Sequence, residues 1–124
     1  MKTLTIVLRS LLGLAYFVFG LNGFLNFIPI PPMVGDEKLF HDALVMSNLF
    51  FVVKAMEVVL GALMLTNTYV AFASVLLAPI TFNIFWFHAN LGPEGLPLSL
   101  ILVAIQVYLF YVHRDKFKGL LEVR

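Results

Sequence analysis

NLFFVVKAMEVVLGALML, residues 48–65, is the stretch on which the fold turns. Its apolar residues run continuously instead of alternating, broken only by Lys54, Glu57 and Gly61. Its length approaches the ~20 residues that carry a helix across a ~30 Å hydrocarbon layer at ~1.5 Å per residue. In lipid a helix satisfies its own backbone groups, which an isolated strand does not. An ionised group inside a span costs on the order of 2.5–3.5 kcal/mol to insert, so two of them ask for a reason. Lys54 and Glu57 are three residues apart and Gly61 follows four later, which at about 100° per residue sets all three on one stripe. Pairing at this spacing lowers the burial cost of both charges, and the glycine lets a neighbouring helix approach. The stripe reads either as a neutralised pair that fixes helix register or as a polar site facing other helices.

Three further apolar stretches flank this one. They run over about 4–27, 69–87 and 96–112, and together predict an all-α integral membrane four-helix bundle, one domain over 1–124. Composition agrees: 61% of residues are hydrophobic, 12% are charged, and mean hydropathy is +0.99. A soluble domain holds about 45–50% apolar and about 25% charged residues, and so short a chain has little interior for the excess. Lys2 before an apolar run imitates a signal peptide, but the long run, Arg9 within its approach and the lack of a small-x-small site favour a retained span.

Thr66-Asn67-Thr68 predicts a tight turn between antiparallel neighbours, and Asn90 to Gly95 a second. Pro29, Pro31 and Pro32 are expected to end the first span. Over 36–47, Leu39, Phe40, Ala43, Leu44 and Ser47 share a face while Glu37, Lys38, His41 and Asp42 lie elsewhere. That predicts a short amphipathic helix between spans one and two, which lies in the membrane interface or packs on the bundle rim. Lys2, Arg114, Lys116, Lys118 and Arg124 flank the ends, whereas the opposite side offers only Lys38. The positive-inside rule then places both termini in the cytoplasm.

Polar residues converge on the outer half of these spans. Asn22 and Asn26 end the first span, Lys54 and Glu57 begin the second, and Asn83, His88 and Asn90 finish the third. Asn83 and His88 are about 140° apart on a helix, so Asn83, Trp86 and Asn90 form the better aligned set unless Pro79 bends the span, and His88 then marks the interface. The ligand-binding candidates are therefore Lys54, Glu57, Asn83, Trp86, Asn22 and His88, with Phe87 and Tyr16 as walls. Arg9, Gly13, Tyr16, Gly20 and Gly23 make a packing stripe on the first span, within the bundle or between protomers of a homo-oligomer. Arg9, near the cytoplasmic end, reads as a snorkelling residue and Gln106 as an isolated structural one.

Several classes fall away. A net charge of +1 with no basic run gives no basis for nucleic-acid binding. With no cysteine, thiol exchange and cysteine-ligated clusters are excluded. His41 and His88 belong to the outer side and His113 to the inner, which argues against bis-His haem ligation, and His41, Asp42, His88 and Glu94 carry no metal-site spacing, so no metal is assigned.

The pattern Arg9-x-x-x-Gly13, Phe17-x-x-Gly20-x-Asn22, Lys54-x-x-Glu57-x-x-x-Gly61-x-x-x-Leu65 and Pro79-Ile80-x-x-Asn83-x-x-x-x-His88 resembles the DoxX family of small bacterial membrane proteins. Lys54, Glu57 and Gly61 are its most specific part, and Gly23 stands where many members carry a lysine. The resemblance implies a multi-pass protein of the bacterial inner membrane in a redox or oxidative-stress pathway, with a quinone as ligand and a redox protein as partner. The readings kept open beside a binding subunit are a proton-coupled transporter acting through Glu57 and an assembly scaffold docked by its glycine stripes.

Overall fold

The first helix, α1 (Lys2–Leu25), stops where Asn26 takes a positive φ of 51°. Asparagine tolerates this left-handed conformation better than other residues with a Cβ, and it closes helices for that reason. The computed structural model describes residues 2–28, 33–91 and 93–121, with side chains over 3–28, 33–91 and 93–117. Pro29, Pro31 and Pro32, expected to end this helix, lie outside the described residues, and the helix has already ended at Leu25.

The same device recurs. Asn48, φ 66°, separates α2 (Gly35–Met46) from α3 (Leu49–Leu65), and the two helices meet at 82°. Asn67, φ 55°, closes α3: its N–H donates to the Met64 carbonyl at 3.3 Å and the Thr68 N–H to the Leu63 carbonyl at 2.9 Å. Those two bonds satisfy carbonyls that the last helical turn would otherwise strand. Then follow α4 (Val70–Asn90), continuous through Pro79, a 3-10 turn at Pro93–Gly95, α5 (Leu96–Val112) and a 3-10 segment at Arg114–Leu121. Among the described residues there is no strand. Thr3–Leu25, Val70–Asn90 and Pro93–Val112 are long and apolar enough to cross a membrane; the bent pair α2 and α3 would supply a fourth crossing if it acts as one span.

Close packing of α1 on α3 depends on glycine. A Cβ at Gly61 would stand 2.6 Å from the Phe17 nitrogen, and one at Gly20 would stand 2.9 Å from the Lys54 carbonyl oxygen. No side chain fits at either distance, so the small-residue stripe of α1 faces α3 within the same chain. The helices run antiparallel, because Arg9 of α1 meets the end of α3 while Gly20 and Gly23 meet its start. Arg9 corrects its sequence reading. Instead of snorkelling it is buried, and its guanidinium donates to the Met64 carbonyl and, at 3.4 Å, to that of Leu65. A cation at a helix C-terminus complements the dipole there.

Leu12, Leu60, Met64, Leu77, Leu102 and Leu109 meet in the core between α1, α3, α4 and α5. A buried polar chain crosses it. The Tyr16 hydroxyl and Thr81 Oγ1 are 2.5 Å apart, Thr81 Oγ1 donates to Gln106 Oε1 at 3.2 Å, and Gln106 Nε2 donates to the Ser74 carbonyl at 2.9 Å. Gln106 is therefore not isolated, and Tyr16, 2% exposed, is a core residue and not a cleft wall. Satisfied in this way, the chain ties α1 to α4 and α5 without leaving those amide and hydroxyl groups orphaned.

Candidate binding cleft

Where α1 ends and α3 begins, the helices part around a cavity of about 880 Å³. That falls in the range of about 300–1,000 Å³ usual for small-molecule sites. Phe19 and Phe24 of α1, Phe50 and Phe51 of α3 and Phe87 of α4 supply its apolar walls. Lys54 is its deepest cation. The lysine stem runs over Gly23, where an added Cβ would meet Cγ at 2.6 Å and Cδ at 2.8 Å. Nζ stands 3.4 Å from Glu57 Oε1 and 5.4 Å from the centre of the Phe50 ring. The two partners differ in access: the Lys54 side chain is 21% exposed and that of Glu57 4%. Lys54 lines the cleft, whereas Glu57 sits behind it against the core and fixes the ammonium.

One edge of α2 closes the mouth. Lys38, His41, Asp42 and Val45 recur at three- and four-residue steps and all line the cavity. Lys38 Nζ and Asp42 Oδ2 are 2.8 Å apart, with His41 Nδ1 3.9 Å from the other carboxylate oxygen. The hydrogen bond from Lys38 holds the Asp42 carboxyl below its ordinary range, and the charge of Lys38 and the nearby imidazole add to that effect. Ring contacts hold the helix in place: His41 lies 5.0 Å from Phe50 and Phe40 lies 5.3 Å from Phe87. Leu39, Ala43 and Met46 face outward and are exposed. The polar edge of α2 thus turns in and its apolar edge turns out, the reverse of a helix seated on a water-soluble core.

Of the residues singled out from sequence, Lys54, Asn22, Asn26, His88 and the wall residue Phe87 reach the cleft. Asn22, 3% exposed, also receives the Ile28 N–H on Oδ1 at 2.7 Å and so directs the chain out of α1. Asn83 and Trp86 do not reach it. The buried residues of α4 include Val70, Ala73, Ser74, Leu77 and Thr81, and continuing their three- and four-residue steps leads through Ile84 to His88. Asn83, Trp86 and Asn90 fall on the opposite side of the helix, exposed. Aligning the polar residues with one another, and not with the core, had selected the wrong face. His88 instead seats its imidazole over Gly95, where any Cβ would collide with the ring. The contributions of Lys38, His41 and Asp42 went unread because a charged helix edge ordinarily marks solvent; its 38-41-42-45 spacing was the available signal.

No protein-family model, curated protein or solved structure matches this chain. Among the described residues no three His, Asp or Glu side chains are placed to share a metal ion. What the cleft offers chemically is aromatic walls with ammonium, imidazole, amide and carboxylate groups among them. That arrangement suits a flat, partly polar molecule able to accept hydrogen bonds.

Proposed function

We propose that this chain is a four-span protein of the bacterial inner membrane, with both termini cytoplasmic, and that its cleft binds a small amphiphile of the quinone class for a membrane redox pathway. The observation that carries the reading is Lys54: a cation at the foot of an aromatic slot, anchored by a carboxylate the slot does not reach. At 17 residues, α3 is at the short end of the ~17–25 that span a bilayer, and α2 is the interfacial helix leading into it. The DoxX resemblance supports the same assignment through Lys54, Glu57 and Gly61. Lys54 would donate to a ring carbonyl and the phenylalanines would hold the ring, while a bound quinone would supply the electron-accepting chemistry.

The test is organic extraction of purified protein followed by mass spectrometry. The expected result is a bound quinone near one per chain, lost in the Lys54→Met, Glu57→Gln double variant. That pair of changes removes the cleft cation without stranding the buried acid. An extract of bulk phospholipid only, identical in both proteins, would refute the binding reading.

A further inference from the structure

We propose that a second copy of this chain packs on the outer face of α4, with Asn83 of each copy hydrogen-bonded to the other across a two-fold axis. The inference rests on the membrane reading of α4 and not on the identity of the cleft ligand. Asn83 lies seven residues before Asn90, the last residue of α4, or about 10 Å inside that end. Its side chain is exposed, and its amide has no hydrogen-bond partner among the described residues. The exposed residues well inside α1, α3 and α5 are apolar, so this amide stands out. Facing hydrocarbon it would be unsatisfied, which a membrane helix avoids by pairing.

The surroundings of Asn83 give the partner its form. Phe72, Leu76, Pro79, Asn83, Trp86 and Asn90 follow one another at steps of four, three, four, three and four. This is the alternation of a coiled-coil seam, and it keeps one stripe facing a partner at a crossing angle of about +20°. Phe72 is 59% and Trp86 57% exposed, and Pro79, Asn83 and Asn90 are exposed with them, while Leu76 lies at the edge of the stripe, half-buried against the chain's own core. An amide is donor and acceptor at once and therefore complements its own copy across a two-fold axis. A single asparagine inside an apolar seam also fixes register, because sliding the helices would strand both amides.

The natural absence of cysteine permits a clean test in vesicle membranes. Phe72→Cys and Trp86→Cys variants are oxidised beside Val107→Cys, which sits on the exposed face of α5. The expected product is a disulfide dimer of twice the chain mass from the two seam positions and none from Val107. In energy-transfer titrations, Asn83→Leu is expected to weaken association by about 3- to 30-fold, the range one interhelical hydrogen bond supplies. Asn83 is exposed and makes no hydrogen bond among the described residues, so helicity is expected to hold in Asn83→Leu. Equal cross-linking at all three positions, an adduct of another mass, or an unchanged dimer in Asn83→Leu would overturn the proposal. An alkaline wash separates the two readings: a retained but monomeric chain removes the seam alone, while a chain washed off removes the membrane reading with it.

Discussion

Lys54 and Glu57 make a partnership whose two halves differ in what their loss exposes. Lys54→Met removes the cation and leaves Glu57 buried without its counter-charge. Glu57→Gln in the same chain relieves that charge. We expect Lys54→Met to lower stability by about 1–3 kcal/mol and the double variant to recover most of it, as followed by detergent-titrated unfolding. Equal losses in the single and double variants would show that Lys54 stabilises through its stem on Gly23 and not through its charge. The same comparison separates structure from binding, because both variants lack the Lys54 ammonium. Gly23 belongs to this account. It carries no side chain, and the stem of Lys54 fills the space.

At the scale of the element, α2 is held to its neighbours by ring contacts, with no buried residue of its own, and its ion pair Lys38–Asp42 lies within the helix. The helicity of α2 should therefore respond to acid. Asp42 is held below its ordinary carboxylate range in the folded state, so its contribution is complete above about pH 4 and is lost as the pH falls through the folded value. A spin label on Ala43→Cys is expected to be restrained at neutral pH and to gain mobility as pH drops towards about 2. With Asp42→Asn added, the label should be mobile throughout and insensitive to pH. Identical acid responses in both proteins would assign the change to another group. Half-exposed and four residues apart on one helix, this pair supports α2 itself and not the stability of the fold. The helices behind it answer to different forces: Gly13, Gly20 and Gly61 set the distance between α1 and α3, and Tyr16, Thr81 and Gln106 set the relation of both to α4 and α5.

For the whole molecule, the proposed four crossings would put the Thr66–Thr68 turn on the same face as the C-terminal segment and the Pro93–Gly95 turn on the other. Single-cysteine labelling with a membrane-impermeant maleimide checks this directly. Glu94→Cys is expected to label in intact cells, whereas Thr68→Cys and Lys116→Cys should label only after the membrane is opened. If Glu94→Cys and Thr68→Cys label together, the number of crossings between them is even and the topology is wrong.

Helix type, number and extent were legible in the sequence because they depend on neighbours along the chain. Continuous apolar runs exclude alternation, the turn residues at 66–68 and 90–95 mark ends, and spacing at 54, 57 and 61 names a stripe without any knowledge of its partner. The amphipathic segment over 36–47 was legible for the same reason, and the structure places α2 at Gly35–Met46. Which way a stripe turns is another matter, since that depends on what stands opposite. Only the tertiary structure turned the charged edge of α2 inward and pointed Asn83 and Trp86 away from the cleft. It also set His88 over Gly95, joined Gln106 to Thr81 and seated Arg9 on the end of α3. Local sequence sets the period of a helix, but its rotation about its own axis is fixed by the summed packing of all its neighbours, and no single stretch of chain carries that sum.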